Sequence, residues 1–152
     1  MKVFKFGGAS VKDAAGVKNL SSIVHQQHGQ LIVVVSAMGK TTNLLETLCN
    51  AYFHQDPKTT AIMKELKNFH LDIVNTLFPL NDTIHKHLEE LFTSLENILA
   101  SESSLCYDYE YDRIICFGEL ISTTIISDYL KMKGIENQFI DIRKFLKTDQ
   151  NY

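Results

Sequence analysis

The stretch KVFKFGGAS at residues 2–10, taken with LIVVV at residues 31–35, decides the fold of this chain. The first begins as a short β-prone run and closes on two glycines, and the second is a continuous apolar run rich in β-branched residues. Apolar residues recur at helical spacing between them. Strand, helix and strand in this order form a βαβ unit, with parallel strands and a right-handed crossover. We expect the 31–35 strand to be buried on both faces, as is usual in parallel sheets.

Helices dominate the next hundred residues. Ser10, followed by Asp13 three positions later, predicts a capping box for the first helix. A second helix is predicted over residues 42–52. From Thr59 to about Ala100 the pattern is helical and is interrupted at Pro79 and at Asn81-Asp82. We interpret this region as a helical hairpin inserted between strands, spanning about residues 55–105, with a structural role.

The remaining sequence predicts two helices and a third strand. One helix covers residues 107–116 and is interrupted at Gly118. The other covers residues 120–133 and ends at Gly134, a suitable C′ residue. Residues 138–142 are predicted to form a strand, and residues 147–152 are a polar ending.

Charge and composition exclude several classes of function. The net charge is −3, so there is no basic surface of the kind that binds nucleic acid or anionic lipid. No apolar run has membrane-spanning length, and no signal peptide is evident, which predicts a cytoplasmic protein. Three cysteines without a CxxC spacing favour reduced thiols. The partner is expected to be a small molecule or another protein.

Lys5 and the glycines after it are candidates for an anion site. Gly7 and Gly8 allow the backbone to approach a ligand closely, and the following helix points its amide-rich end at the same place. An ammonium, two glycines and helix-end amides together favour phosphate binding. The alternative is a surface lysine before an ordinary turn.

A second candidate is the polar loop after the 31–35 strand. Gly39-Lys40-Thr41 resembles the end of a P-loop, but Val34 occupies the position of the required first glycine, so we reject that motif. The loop still lies at the carboxyl end of a parallel strand, where open α/β sheets bind ligands. The hydroxyls of Ser36, Thr41 and Thr42 suit a small polar ligand, unless Thr42 only caps its helix.

Glu119 is a carboxylate between two apolar helical stretches, and such a group needs a partner. A substrate ammonium and a protein Lys or Arg are both open as that partner. His85 and His87 face apart on a helix and have no third ligand nearby, so we predict no metal site. The other histidines are interpreted as surface or hydrogen-bonded core residues.

Taken together, KFGGASV at 5–11, VVSAMGKTTNLL at 34–45 and FGELIS at 117–122 resemble three motifs of the aspartate kinases, in the same order and spacing. The segment at 141–149 resembles the strand and loop that follow in that family. The resemblance covers nearly the whole chain. It implies the amino-acid kinase fold, a three-layer α/β/α sandwich around a mostly parallel sheet. It also implies transfer of the γ-phosphoryl group of ATP to the β-carboxylate of L-aspartate, the first step toward lysine, threonine and methionine.

The resemblance assigns roles by motif. Lys5 would be catalytic, neutralising charge on the transferring phosphoryl group, and Glu119 would receive the α-ammonium of aspartate. Ser36 and Thr42 would contact aspartate or the reacting groups. The implied ATP phosphate-binding residues are Lys5, Phe6, Gly7, Gly8 and Ala9.

Two departures from the family pattern qualify this expectation. Ala9 stands where the family usually has Thr, which removes one hydroxyl near the phosphates. We also expect the chain to stop before the nucleotide-binding half, which would complete the Mg²⁺ and ATP site, and before the regulatory ACT domains. It would then be inactive alone, and the complete protein is expected to be a homo-oligomer. The alternatives are a non-catalytic binding module and another member of the amino-acid kinase superfamily.

Overall fold

The computed structural model describes residues 1–78 and 82–146. Two strands, β1 and β2, and six helices, α1 to α6, form the fold, and short 3₁₀ turns lie at Gly8–Val11 and Ile142–Lys144. The elements in chain order are β1 Lys2–Phe6, α1 Ala14–His25, β2 Leu31–Val35, α2 Thr41–Phe53, α3 Thr59–Leu77, α4 Asp82–Leu99, α5 Tyr107–Ile115 and α6 Phe117–Met132. No helix in this part of the chain is long and apolar enough to cross a membrane.

β1 and β2 pair in parallel, and α1 connects them, as the βαβ prediction requires. The register places Lys5 opposite Val34 and Phe6 opposite Val35. The predicted burial on both faces is wrong. Ile32 and Val34 are each 46% exposed, because the described helices pack on the other face, where Val33 and Val35 contact the core.

The N-terminus of α1 is capped by a different residue from the one predicted. The Asp13 carboxylate accepts a hydrogen bond from the Gly16 amide at 2.8 Å, so Asp13 is the N-cap. Ser10 lies in the preceding 3₁₀ turn, where its amide donates to the Gly7 carbonyl at 2.9 Å. The predicted capping box is therefore wrong, because one extra turn separates Ser10 from the helix.

The two helices of the predicted hairpin are observed as α3 and α4, and they belong to the main core. Fully buried side chains from both helices, including Leu66, Val74 and Leu88, share one apolar cluster with α1, α2 and α6. His87 Nδ1 also lies 2.6 Å from Asp128 Oδ2, which ties α4 to α6. The predicted interruption at Pro79 and Asn81 lies outside the described residues.

α5 and α6 are separated at Cys116, not at Gly118 as predicted. Gly118 lies in the first turn of α6, where its missing side chain permits close packing. The far end of α6 is as predicted. Gly134 has a φ of 74°, and the Ile135 amide donates to the Leu130 carbonyl, which closes a Schellman motif.

The predicted third strand at 138–142 is absent from the structure. Residues 138–141 have no ladder partner in the described chain, and Asp141 instead caps the Ile142–Lys144 turn. Apolar side chains of this segment, such as Ile140 at 58% exposure, are largely uncovered. The residues have strand propensity, but propensity needs a neighbouring strand to form a ladder. The polar ending at 147–152 is outside the described residues.

His70 on α3 is fully buried, and both of its ring nitrogens have a partner. Nδ1 lies 2.8 Å from the Leu66 carbonyl oxygen, and Nε2 lies 3.3 Å from the Thr41 hydroxyl. Burial lowers the pKa of His70 from 6.5 to about 4. His70 is therefore neutral in the folded protein near neutral pH and is a hydrogen-bonded core histidine, one of the two interpretations that the sequence left open.

This low pKa predicts a stability change in mildly acidic solution. The unfolded chain protonates His70 near pH 6.5 and the folded protein only near pH 4, so the unfolded state binds more protons between those values. Stability present above pH 6.5 should fall by roughly 3 kcal/mol as the pH drops toward 4. Urea unfolding of wild type and His70→Gln at several pH values measures this. Their free energies should converge with falling pH, and a constant difference would contradict the prediction.

Candidate functional site

Three segments meet at the carboxyl ends of β1 and β2. The loop after β1 contains the two glycines, and the loop after β2 covers residues 36–40. The Ser36 amide donates to the Phe6 carbonyl at 3.1 Å, and the Gly39 amide donates to the Gly8 carbonyl at 3.1 Å. These bonds continue the contact between the strands into their loops and fix one loop against the other.

Gly8 is the point of closest approach between these loops. A Cβ at this position would lie 2.7 Å from the Ala37 carbonyl oxygen and 3.1 Å from the Gly39 carbonyl oxygen. Such contacts are with backbone atoms, which cannot swing aside. The requirement for glycine at Gly8 is therefore steric and comes from the loop after β2, whereas the sequence predicted close approach to a ligand.

The N-terminus of α6 closes the third side. Glu119 Oε1 accepts a hydrogen bond from the Ala37 amide at 3.3 Å, and the buried Ser122 hydroxyl donates to the Ser36 carbonyl at 2.8 Å. A Cβ on Gly118 would lie 2.8 Å from the Ala37 Cβ, so this glycine lets the helix approach the loop. Ser122 has no role predicted from the sequence, although it is the last residue of the FGELIS motif at 117–122.

Lys5 and Glu119 both lie at this edge and are exposed. The Lys5 ammonium lies 3.5 Å from where a Cβ of Gly7 would be, so it folds back over the glycine loop. Within residues 1–78 and 82–146, no protein side chain of opposite charge forms an ion pair with either residue. A protein Lys or Arg as the partner of Glu119 is thus excluded for this part of the chain.

The predicted hydroxyls are placed around the same loop. Ser36 and Thr42 are half-buried, and Thr42 lies in the first turn of α2. Thr42 does not cap the helix, since Lys40 occupies the N-cap position without a side-chain bond. The neighbouring Thr41 is buried instead, and its hydroxyl donates to the Met38 carbonyl at 2.6 Å.

A small polar cluster, which was not predicted from the sequence, lies beside the start of α6. Arg143 makes two hydrogen bonds to the Asp141 carboxylate, at 2.9 and 2.7 Å, and its Nη1 lies 3.0 Å from Cys116 Sγ. The neighbouring guanidinium lowers the pKa of Asp141, whereas burial raises the pKa of the Cys116 thiol. The cluster joins the 141–144 turn to the start of α6. None of the three cysteines forms a disulfide.

The described part of the chain contains no evident metal site. No group of three or more His, Cys, Asp or Glu side chains there is arranged to hold an ion. Mg²⁺ prefers carboxylate and water oxygens, and the Lys5 edge offers no carboxylate set of that kind. The described residues therefore do not fit Mg²⁺ by themselves.

The sequence model of the amino acid kinase family matches residues 1–152. The chain belongs to this family. Among the relatives of this amino acid kinase chain is chloroplastic aspartokinase 2 of Arabidopsis thaliana, 31% identical over 97% of the chain and 28% of the relative. Another is lysine-sensitive aspartokinase 3 of Escherichia coli, 27% identical over 99% of the chain and 33% of the relative.

Solved aspartokinase structures share the fold. Escherichia coli aspartokinase III in complex with aspartate and ADP matches with a TM-score of 0.87 and 25% identity, over 100% of this amino acid kinase chain and 33% of that protein. The same enzyme in complex with lysine and aspartate matches with a TM-score of 0.85. The predicted α/β fold of the amino-acid kinases is thereby confirmed. The chain spans about a third or less of the length of these relatives.

Neighbouring glycines provide a direct test of the loop geometry. Gly8→Ala should lower the free energy of unfolding by about 1–3 kcal/mol, since its Cβ would overlap two backbone carbonyls. Gly7→Ala is the matched control. Gly7 has an extended backbone with φ −74°, and an added Cβ would meet only the mobile Lys5 ammonium. Urea unfolding should show little change for Gly7→Ala, and equal losses in both variants would refute the close approach.

Proposed function

We propose that this chain forms the aspartate-binding and phosphate-facing part of an aspartate kinase. The observation that carries the proposal is the convergence of Lys5, the glycine loop, the 36–40 loop and Glu119 at the carboxyl ends of β1 and β2. The two charged side chains have opposite sign and lack a protein counter-ion among the described residues. That pattern suits a ligand with one cationic end and one anionic end.

Relatives support the choice of substrate. The matched relatives are named as aspartokinases and come from a plant and a bacterium. One solved relative is a complex with both aspartate and ADP. The match to that structure covers the whole length of this chain. L-Aspartate and ATP are accordingly the substrates we assign to the complete protein.

Glu119 is proposed to bind the α-ammonium of aspartate. Its Oε1 is held by the Ala37 amide, so the carboxylate is fixed at the loop before the substrate arrives. Ser122 and Gly118 support this arrangement from within α6, the first through the Ser36 carbonyl and the second by allowing close packing. Ser36 and Thr42 then offer hydroxyls to the bound amino acid.

Lys5 is proposed to act on the phosphates, with the backbone of Phe6, Gly7, Gly8 and Ala9 lining them. A β-carboxylate oxygen of aspartate attacks the γ-phosphorus of ATP, the bond to the bridging oxygen breaks, and ADP leaves with that electron pair. The carboxylate is already deprotonated, so no general base is needed. Such transfers depend on positioning and on neutralising charge, which is what an ammonium over a glycine loop provides.

The wider context of the reaction is also part of the proposal. The complete protein would catalyse the first step toward lysine, threonine and methionine, in the cytoplasm and as a homo-oligomer. Mg²⁺, which supplies charge neutralisation on the β- and γ-phosphates when bound, would be held by groups outside the described residues.

Replacement of Lys5 tests the phosphate role. In the complete gene product, Lys5→Ala should lower kcat by roughly 10²–10³-fold, the loss typical of removing one transition-state electrostatic donor. The KM for aspartate should change less. Lys2→Ala is the control, since Lys2 is exposed on the same strand and its ammonium donates to the exposed Gln27 side chain at 3.0 Å. A hydroxamate assay that finds kcat of Lys5→Ala within about twofold of wild type would show that Lys5 is an ordinary surface lysine.

Replacement of Glu119 tests the ammonium role. Glu119→Gln keeps an oxygen for the Ala37 amide but removes the charge, so kcat/KM for aspartate should fall roughly 10–150-fold. The melting temperature should change little, because no described cation depends on Glu119. Glu89→Gln on the exposed face of α4 is the control. A large drop in melting temperature with normal aspartate kinetics would instead indicate a structural role for Glu119.

A further inference from the structure

The α3–α4 hairpin contacts the 36–40 loop directly. Phe69 and His70 are neighbours on α3, and the Phe69 ring lies 3.5 Å from where a Cβ of Gly39 would be. His70 is fully buried behind it, with its ring 4.9 Å from the Phe69 ring. The inserted helices therefore touch the same loop that contacts Gly8 and Glu119.

Hydrogen-bond chemistry fixes the tautomer of His70. A carbonyl oxygen only accepts, so the 2.8 Å contact with Leu66 makes Nδ1 the donor. In the neutral ring Nε2 is then an acceptor, and it faces the Thr41 hydroxyl at 3.3 Å. Burial holds the pKa of His70 at about 4, so the neutral form is present at working pH.

Thr41 has one hydroxyl hydrogen and two acceptors within reach. The Met38 carbonyl lies at 2.6 Å and His70 Nε2 at 3.3 Å. The Met38 carbonyl also accepts the Thr41 amide at 3.0 Å, so it keeps one hydrogen bond whichever way the hydroxyl turns. The hydroxyl hydrogen serves one acceptor at a time, so a bond to His70 Nε2 would replace the 2.6 Å bond to Met38. His70 therefore competes with the Met38 carbonyl for the orientation of the Thr41 hydroxyl at the junction of the loop with α2.

We propose that His70 is a positioning residue, which holds the 36–40 loop through Thr41 and so ties the α3–α4 hairpin to the substrate site. The residue touches neither substrate, and its effect on catalysis rests on the proposed aspartate kinase function. Its effect on the loop does not. The hairpin, predicted from the sequence as a structural insertion, then has a part in arranging the Ala37 amide against Glu119.

Amide hydrogen exchange in the 152-residue chain tests the loop without any assay of activity. In His70→Asn the amide group stays near Leu66 but no longer reaches Thr41, so the Gly39 and Thr41 amides should exchange about 3–10-fold faster. His70→Gln, whose side chain reaches further, should restore much of the protection. His54→Asn is the matched control, because His54 makes the same local bond to Asn50 at 2.9 Å but is exposed.

Thr41 variants guard against a failure of the histidine variants to fold. Thr41→Val should accelerate the same amides, Thr41→Ser should not, and the control Thr47→Val removes a hydroxyl bonded only to its own helix. His70→Asn combined with Thr41→Val should be no worse than Thr41→Val alone, because Thr41→Val already removes the contact with His70 together with the bond to Met38. Equal acceleration throughout α3 and α6, or none at Gly39, would overturn the positioning role.

Kinetics of the complete gene product separate this inference from the proposed function. His70→Asn should raise the KM for aspartate about 3–10-fold, with smaller changes in kcat and in the KM for ATP. Unchanged aspartate kinetics in an active enzyme would overturn the catalytic consequence. If wild type does not phosphorylate aspartate, the proposed function fails, and the exchange experiment alone decides the role of His70.

Discussion

The contact between the loops after β1 and β2 is the constraint on which the site depends. The Gly39 amide donates to the Gly8 carbonyl, and there is no room for a side chain at Gly8. This contact brings Lys5, the residue before the end of β1, to the same edge as Ala37, which follows β2. Glu119 then attaches to that edge through the Ala37 amide. Without the close approach of the two loops, Lys5 and Glu119 would not be held at the same edge of the sheet.

The helices of the described residues support this edge from one side of the sheet only. α6 reaches the loop through Gly118, Glu119 and Ser122. α3 reaches it through Phe69, and His70 contacts Thr41 directly after the loop. The opposite face, with Val3, Ile32 and Val34, is uncovered by the described chain. The site is therefore held by helix contacts beneath and beside it, while Lys5 stands on the exposed face and is free to meet an anion.

Local patterns in the sequence predicted much of the fold and the composition of the site. The β-branched run at 31–35 and the glycines after Phe6 mark the strands, and apolar periodicity marks α1, α3 and α4. Predictions failed where the outcome depends on neighbours. Exposure of Ile32 depends on which helices cover the sheet, and residues 138–142 need a strand beside them. The cap shifted from Ser10 to Asp13 because a 3₁₀ turn intervenes, a choice that Ser-x-x-Asp spacing does not reveal. The His70–Thr41 contact joins residues 29 apart in sequence, so no local pattern could indicate it.

We propose that one edge of the sheet binds aspartate by its ammonium at Glu119 and faces phosphate with Lys5. A crystal structure of the complete gene product with L-aspartate and a non-hydrolysable ATP analogue tests it most directly. We expect the α-ammonium within hydrogen-bond distance of the Glu119 carboxylate, the β-carboxylate directed at the γ-phosphate, and the Lys5 ammonium on the phosphates. Aspartate bound elsewhere, or bound with Glu119 and Lys5 both in solvent, would contradict the proposed substrate site.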